Sequence, residues 1–361
     1  MELKKDDRKD LFAPTPPLEA KKLLFALAVT EEIGFEPGDK KRGMKLDFID
    51  VRRAFFHADC LRKVYVQLAD EDYEEGMCGR LNKAMYGTRD AAQNWAEAYM
   101  GFMVKIGFIR GRASPCNFWH KERNLRVVVH GDDFTVLGWE KSLDWFWERI
   151  QERFDCKHRG RLGAGDKDEK EIRILNRIIT WTANGIEYEG DQRHVEIAQQ
   201  SLQLTGVSKG VVTPADKSQL KGEENKPLSR QGKRQFRGLV ARMNYLGQDR
   251  SDIQFAVKEL STAMSNPGTI DMAKMKRLAR YLLKVPRCVV KFDYQSKVEQ
   301  LVAWSDSDFA GCVKSRKSTS GGIILFGGCP IKTYCSLQAV RALSSGEAEY
   351  YAMVKATSVA I

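Results

Sequence analysis

The sequence predicts an α+β fold in which a mixed block is followed by a polar linker, a group of helices and a short β-β-β-α segment. Apolar residues recur at helical spacing in some segments of the first block and form short continuous runs in others, which indicates intermixed helices and strands. The segment 213–232 is rich in charged and turn-forming residues and indicates a linker. From Leu301 onward the pattern changes to short strands separated by turns. This order of elements is typical of α+β proteins.

The predicted elements of the first block follow from these two kinds of spacing. Asp90 is a suitable N-cap for the second helix, because its side chain can accept a hydrogen bond from a free backbone N–H of the first turn. The block contains predicted helices over 18–33, 90–106, 141–154 and 195–204, strands over 44–51, 64–68, 117–120, 125–137, 172–182 and 185–188, and an exposed loop over 159–171.

The second half of the chain is predicted to begin with helices and to end with strands and one helix. The predicted helices cover 233–247, 253–264, 272–284 and 345–361, and the predicted strands cover 301–306, 321–327 and 330–337.

Length, composition and charge limit the classes of protein to which the chain can belong. Its 361 residues allow two or three domains at about 150 residues each, and 43% hydrophobic residues suffice for buried cores. No uncharged apolar run of about 18 residues is present, and the first ten residues carry no apolar signal segment, so we expect neither membrane insertion nor secretion. The net charge of +11, from 59 basic and 48 acidic residues, points only weakly to a polyanionic partner.

The most unusual local feature is the adjacent pair Asp132 and Asp133 between two β-branched runs. Two readings are open: a polar hairpin turn beside Gly131, or one half of a metal site for phosphodiester chemistry. A metal site requires a third carboxylate from another strand, and the buried strand pattern around 44–51 offers Asp47 and Asp50. These two lie on opposite faces of a strand, so only one of them can face the acidic pair.

Five segments resemble, in the same order, motifs of the reverse transcriptase and RNase H regions of copia-type LTR retrotransposons. The first three are KLDFIDVRRAFFHADCLRKVYVQL, LNKAMYGTRDAAQNWAEAY and VVVHGDDFTVLG. The fourth, FRGLVARMNYLGQDRSDIQFAVKELSTAMSNP, resembles the connector that follows the polymerase. The fifth begins at LVAWSDSDFAG and is similar to the start of the RNase H domain. Together the five cover nearly the whole chain.

The resemblance implies an RNA-directed DNA polymerase that uses Mg²⁺ or Mn²⁺. It assigns Asp50, Asp132 and Asp133 as the catalytic, metal-binding carboxylates, and a template–primer and deoxynucleoside triphosphates as the substrates. The third motif departs from the family pattern at His130 and Gly131, where the family usually has a tyrosine and a small apolar residue.

The same resemblance implies three nucleotide-binding residues. Phe55 matches the aromatic residue that packs beneath the sugar and excludes a 2′-hydroxyl, and Tyr86 and Gly87 match a loop that supports the nucleotide. On the residues alone, a core phenylalanine and a turn before a helix explain these positions equally well.

In the last block, Asp306 and Glu349 match the first two metal-binding carboxylates of an RNase H site. A solvent-facing glutamate is the ordinary alternative for Glu349. The family uses further carboxylates downstream, so we expect no RNase H activity from these two alone. Arg316 and Lys317 are candidates for phosphate contact or are simply part of a solvated turn.

The helix predicted over 272–284 carries basic residues that are candidates for contact with a duplex backbone, although a solvated helix face is the ordinary explanation. They are Lys274, Lys276, Arg277, Arg280 and Lys284.

The resemblance also implies a domain organisation and a cellular setting. It implies a reverse transcriptase palm and thumb with truncated fingers over 1–212, a linker and helical connector over 213–297, and a partial RNase H-like domain over 298–361. The partners would be the Gag, protease and integrase parts of a longer Pol polyprotein, in a cytoplasmic virus-like particle or the nucleus. The alternative is a catalytically silent retroelement remnant that at most binds nucleic acid.

Overall fold

The computed structural model describes residues 12–190, 192–204, 209–216 and 224–361. It divides into two compact units, with the boundary between Ile172 and Arg173. Both units combine helices and strands, which confirms the predicted mixed α/β class. No helix in the described ranges is long and apolar enough to cross a membrane.

The first unit is built on a six-stranded antiparallel sheet. Its strands are β1 (Lys45–Val51), β4 (Ile109–Arg110), β5 (Asn117–His120), β6 (Leu125–His130), β7 (Asp133–Gly138) and β8 (Cys156–Leu162), in the order β4-β5-β6-β7-β1-β8. A separate two-stranded ribbon pairs β2 (Tyr65–Val66) with β3 (Gly79–Arg80). Strand β1 lies between β7 and the edge strand β8.

Helices complete the core of the first unit. They are α1 (Leu18–Ala28), α2 (Ala91–Lys105) and α3 (Glu140–Gln151). Apolar side chains spaced three and four residues apart form the buried stripes of α2 and α3, and they pack with strand residues in one cluster. The stripes consist of Trp95, Tyr99 and Met103 on α2 and of Leu143, Phe146 and Ile150 on α3.

The second unit contains two sheets and five helices within its described residues. One sheet has the order β12-β11-β10-β9, and the other has the order β13-β14-β15. The strands are β9 (Glu171–Ile174, which begins at the unit boundary), β10 (Arg177–Thr182), β11 (Gly185–Gly190), β12 (Val289–Asp293), β13 (Leu301–Asp308), β14 (Thr319–Phe326) and β15 (Cys329–Leu337). The helices are α4 (Arg193–Ser201), α5 (Arg230–Gly247), α6 (Gln254–Ser261), α7 (Thr269–Lys284) and α8 (Ser345–Ala360). Apolar residues of α4 to α7 form one core cluster.

The structure corrects several sequence predictions. The segment 159–171 is not simply an exposed loop, because Arg159–Leu162 forms the end of strand β8. The predicted strand 172–182 is two strands, divided at Leu175 and Asn176, which both adopt positive φ angles. Strand β12 was not predicted. Part of the predicted linker, 217–223, lies outside the described residues.

Candidate active site

The three carboxylates singled out by the sequence meet at one end of β1 and β7. Asp50 lies directly opposite Asp133 in the antiparallel register. Asp132 occupies the turn between β6 and β7, and its carbonyl oxygen accepts a 3.0 Å hydrogen bond from the backbone N–H of Val51. The side chains of Asp50 and Asp133 are 20% and 16% exposed, so both carboxylates are partly withdrawn from water. Strand pairing therefore brings Asp50 to the acidic pair.

A buried tryptophan fixes the turn that carries Asp132. Trp95 is 2% exposed, and its indole Nε1 donates a 2.9 Å hydrogen bond to the carbonyl oxygen of Gly131. Gly131 has a φ of +66°, a conformation that residues with a Cβ rarely adopt. The glycine that departs from the family pattern thus has a local structural role, and Trp95 both packs in the core and holds the turn.

Asp47 is not part of the carboxylate group. It is 1% exposed and accepts hydrogen bonds of 2.6 and 2.8 Å from Nε and Nη2 of Arg161, with His158 Nε2 at 3.2 Å. Burial alone would raise the pKa of Asp47, but the hydrogen bonds from Arg161 and His158 outweigh burial and lower this pKa. The structure thus answers the question left open by the sequence: Asp50 faces the acidic pair, and Asp47 forms a buried ion pair.

Arg159 is a member of the site that the sequence reasoning missed. Its Nη2 lies 2.8 Å from Oδ1 of Asp50, and its Nε lies 3.9 Å from Oδ1 of Asp133. Burial raises the pKa of Asp133, an effect that Arg159 and Lys21 oppose and the neighbouring Asp132 and Asp50 reinforce. Arg159 lies in the segment 159–171, which is predicted to be an exposed loop, so no local pattern in the sequence points to it.

The donor chemistry of the three carboxylates suits Mg²⁺ or Mn²⁺, because hard divalent cations prefer oxygen ligands. In the arrangement described, a guanidinium group contacts two of these carboxylates. Across the described ranges, no group of three or more His, Cys, Asp and Glu side chains is arranged so that it could hold a metal ion as it stands. The three carboxylates therefore fit such an ion by the chemistry of their oxygen donors.

The predicted nucleotide-binding residues lie together in the first unit. Phe55 is half-buried on the single-turn helix Ala54–His57, and its ring centroid lies 4.3 Å from that of Tyr86. Tyr86 is 49% exposed, and Gly87 has a φ of +92°. The neighbouring Phe56 meets the Tyr86 ring edge-on at 5.7 Å. The two aromatic residues predicted from separate motifs thus form one contact.

In the second unit, the predicted RNase H carboxylates have different surroundings. Glu349 on α8 accepts hydrogen bonds from the backbone N–H and the hydroxyl of Ser307, at 3.2 and 2.8 Å. Asp306 is exposed, and neighbouring side chains of a strand point to opposite faces. The side chain of Asp306 therefore lies on the face of β13 opposite to that of the Ser307 hydroxyl, which contacts Glu349.

Several predicted phosphate contacts have partners within the chain. Arg277 Nη2 donates to Thr213 Oγ1 at 2.7 Å, and Arg280 Nε donates to the carbonyl oxygen of Lys209 at 2.6 Å. Lys317 Nζ donates to the carbonyl oxygen of Ala339, and Arg316 adopts a positive φ in the same turn. On α7, Lys276 and Lys284 are exposed and Lys274 is half-buried.

Comparison with known proteins places these observations in a family. Residues 2–164 match the family of the reverse transcriptase (RNA-dependent DNA polymerase). The chain is 27% identical, over 86% of its length, to the retrovirus-related Pol polyprotein from transposon RE1 of Arabidopsis thaliana. It is 24% identical, over 96% of its length, to the retrovirus-related Pol polyprotein from transposon TNT 1-94 of Nicotiana tabacum. A third relative, the secreted RxLR effector protein 161 of Plasmopara viticola, is 39% identical over 31% of the chain.

These matches cover unequal shares of the relatives. The chain spans 21% and 25% of the two Pol polyproteins and 78% of the effector protein. The reverse transcriptase match includes the strands that carry Asp50, Asp132 and Asp133. The chain therefore resembles the retrovirus-related Pol polyproteins from transposons, and its residues 2–164 carry the match to the reverse transcriptase family.

Proposed function

We propose that the chain is an RNA-directed DNA polymerase segment that transfers nucleotides from deoxynucleoside triphosphates to the 3′-hydroxyl of a primer. The observation that carries this proposal is the meeting of Asp50, Asp132 and Asp133 at one end of paired strands, inside the region that matches reverse transcriptases. Extension of a DNA primer on an RNA template in the presence of Mg²⁺ tests it.

In this proposal, Asp50, Asp132 and Asp133 hold Mg²⁺ or Mn²⁺. The bound ions would activate the attacking hydroxyl and stabilise the charge that develops on the phosphoryl oxygens. The chain itself contributes the position of its carboxylates: pairing of β1 with β7 fixes two of them, and the hydrogen bond from Trp95 to Gly131 fixes the turn of the third. Rigid elements of this kind hold a site more accurately than a mobile loop.

We propose that Phe55 and Tyr86 form the floor beneath the sugar of the incoming nucleotide, next to the turn at Gly87. Their ring contact at 4.3 Å gives the surface a fixed position, while the exposure of Tyr86 leaves one side open to a ligand. A ring at Phe55 leaves less room for a 2′-hydroxyl than a smaller side chain would.

Replacement of Phe55 by valine is expected to increase incorporation of ribonucleotides relative to deoxynucleotides, by on the order of 10- to 100-fold, because steric pockets discriminate within this range. Single-nucleotide extension with matched dNTP and rNTP measures the ratio of kcat/KM values. The control is Phe56→Val, which removes a neighbouring ring that meets Tyr86 only edge-on. An unchanged ratio in Phe55→Val would contradict the assignment.

The division of the chain into polymerase, connector and RNase H-like parts is also a proposal. We assign the six-stranded sheet to a polymerase palm, with thumb elements up to residue 212, and the helices within 213–297 to a connector. The sheet β13-β14-β15 with α8 would be the RNase H-like part over 298–361, in which Asp306 points away from the face of β13 that Glu349 contacts. The compact units divide at a different place, after Ile172.

As a segment of a longer Pol polyprotein, the chain would act beside Gag, protease and integrase parts in a cytoplasmic particle or in the nucleus. Both polyprotein relatives are several times longer than the matched region, which supports this setting.

The surface that supports nucleic-acid binding most strongly lies on α5. This helix has five basic residues and no acidic one. Four of the five recur at i, i+3, i+4 and i+7, and they line a shallow depression of about 780 Å³ that contains no carboxylate. The N-terminus of a helix carries a partial positive charge, so basic side chains in its first turns repel it. Bound phosphate groups would neutralise this excess positive charge. The four residues are Arg230, Lys233, Arg234 and Arg237.

Replacement of Arg230 and Arg234 by glutamine is expected to weaken duplex DNA binding and to reduce the slope of log affinity against log salt by about 1.8, at 0.9 per lost phosphate contact. Fluorescence anisotropy across a salt series measures both quantities. The double variant Lys276→Gln and Lys284→Gln removes the same charge from α7 and tests the contacts predicted there. A slope unchanged by the α5 pair would show that α5 does not contact the backbone.

A further inference from the structure

Arg159 contacts two of the three carboxylates that are proposed to hold a divalent cation, Asp50 and Asp133. Its guanidinium lies 2.8 Å from the first carboxylate and 3.9 Å from the second. We infer that Arg159 is a built-in counter-ion, which holds this carboxylate pair in the metal-free protein and competes with the divalent cation for it. This inference rests on the proposed function and concerns the regulation of the same site.

A β-bulge in β8 directs the side chain of Arg159 toward Asp50. Ile49 pairs with His158, whereas Phe48 pairs with Gly160, so Arg159 is an extra residue in β8. Such a β-bulge breaks the alternation of faces along a strand and re-aims a side chain. Arg159 and Arg161 would otherwise share one face, yet they bind Asp50 and Asp47, which lie on opposite faces of β1. The bulge therefore allows one strand to neutralise both carboxylates.

The two arginines differ in how firmly they are held. Arg161 binds both oxygens of the buried Asp47, donates to Asp144 at 2.8 Å, and is 19% exposed. Arg159 makes one close contact and one contact at 3.9 Å, and its side chain is 40% exposed. Arg161 is a fixed structural partner, whereas Arg159 has fewer contacts and is more exposed to water, so its guanidinium is the easier of the two to displace.

The contact of Arg159 compensates negative charge at the carboxylates. Asp50 and Asp133 are cross-strand neighbours with Asp132 beside them, and like charges directly opposite each other destabilise a sheet. A guanidinium between them relieves this repulsion while no metal is bound. When the cation enters, it supplies the same compensation with more charge, and Arg159 is displaced.

Titration with Mn²⁺, followed by the loss of the free-ion signal in electron paramagnetic resonance, tests the competition. The expected result is that Arg159→Gln tightens Mn²⁺ binding about 10-fold, whereas Arg159→Lys, which keeps the charge but not the planar fork, binds with intermediate affinity. The matched control is Lys141→Gln, which removes one charge from an exposed position of α3, next to the end of β7 remote from Asp133, and should change affinity less than about 3-fold.

The outcomes separate the inference from the function on which it rests. If wild-type protein binds Mn²⁺ and Asp132→Asn does not, but Arg159→Gln binds no more tightly than wild type, then the counter-ion role is wrong and the metal site stands. If Arg159→Gln and Lys141→Gln tighten binding equally, the effect is one of general charge and the inference also fails. If neither wild type nor Arg159→Gln binds Mn²⁺, the proposed function fails with it.

Thermal unfolding supplies a second test that does not require a measurement of metal affinity. Without divalent cations, Arg159→Gln should melt below the wild type, because the carboxylates then repel one another. Saturating Mg²⁺ should remove most of this difference, since the bound ion replaces the lost charge. Arg161→Gln, in contrast, should remain destabilised with and without Mg²⁺. A deficit in Arg159→Gln that Mg²⁺ does not reduce would show that Arg159 has a structural role only.

Discussion

Replacement of Asp132 by asparagine is expected to lower the rate of primer extension by at least on the order of 10²–10³-fold, the loss typical of removing one preorganised electrostatic group from an active site. Asparagine has nearly the same size as aspartate but lacks the charge that the proposed metal ions require. The side chain of Asp132 is exposed at its turn, and the backbone bond between Val51 and Asp132 does not depend on it. The fold should therefore survive. Extension of a labelled DNA primer on an RNA template with Mg²⁺ measures the effect.

The matched control for this variant is Asp72→Asn, which makes the same change on the exposed single-turn helix Asp70–Asp72. It should extend primers as the wild type does. Asp50→Asn should be as inactive as Asp132→Asn. If the wild type and Asp132→Asn extend primers equally, the polymerase assignment is wrong. A wild type that binds a template–primer but extends nothing would instead support the alternative of a silent remnant.

Local patterns in the sequence were sufficient for most elements of the candidate site. The segment 125–137 was predicted as one strand interrupted by the acidic pair, with a hairpin turn at Asp132 and Asp133 as an open alternative, and the structure has the turn, between β6 and β7. The strand carrying Asp50 was predicted over 44–51 and observed over Lys45–Val51. Period-two alternation showed that only one of Asp47 and Asp50 could join the acidic pair. Selecting Asp50 from the sequence required the resemblance, whereas in the structure the pairing of β1 with β7 decides it.

Local patterns failed where a distant partner determines the structure. Strand β8 carries Lys157, His158, Arg159 and Arg161, and a strand this polar has no apolar alternation. Its ladder with β1 and its ion pairs with residues 109 and 114 positions away hold it in the sheet. The bulge at Arg159 also disrupts the two-residue period. A pattern read over a few neighbouring residues cannot detect charge compensation across the sheet, and for this reason part of β8 was predicted as a loop.

Local patterns also failed to predict the partners of charged side chains at helix termini and on the surface. Asp90 occupies the predicted N-cap position of α2, but its side chain makes no capping bond and instead accepts a 2.9 Å hydrogen bond from Arg62. Likewise, the sequence placed Arg277 and Arg280 on a basic helix, yet both donate to residues of the segment 209–216. The position of an element follows from short-range patterns, whereas the partner of a charged side chain follows from the tertiary fold.

Replacement of Asp47 by asparagine is expected to destabilise the protein by about 3 kcal/mol, because removal of one partner from a buried ion pair leaves the other charge poorly compensated. Arg161 donates to both oxygens of Asp47, at 2.6 and 2.8 Å, whereas asparagine offers one neutral acceptor oxygen and an NH₂ group; the exposed partner Asp144 remains. Urea denaturation at neutral pH measures the loss as a change in the free energy of unfolding. The control is Asp144→Asn, whose side chain is 57% exposed and whose loss should cost less than about 1 kcal/mol.

The pH dependence of the Asp47→Asn effect distinguishes an ion pair from simple packing. The folded pKa of Asp47 lies below its ordinary value of 3.8, so the folded state favours the ionised carboxylate. Its stabilising contribution is therefore complete above the unfolded pKa and is lost as the pH falls through the folded pKa. The difference in unfolding free energy between wild type and variant should stay constant through neutral pH and shrink only below about pH 3.8. If the difference persists unchanged into strong acid, Asp47 stabilises the fold through packing, and the charge of its carboxylate does not contribute to the interaction with Arg161.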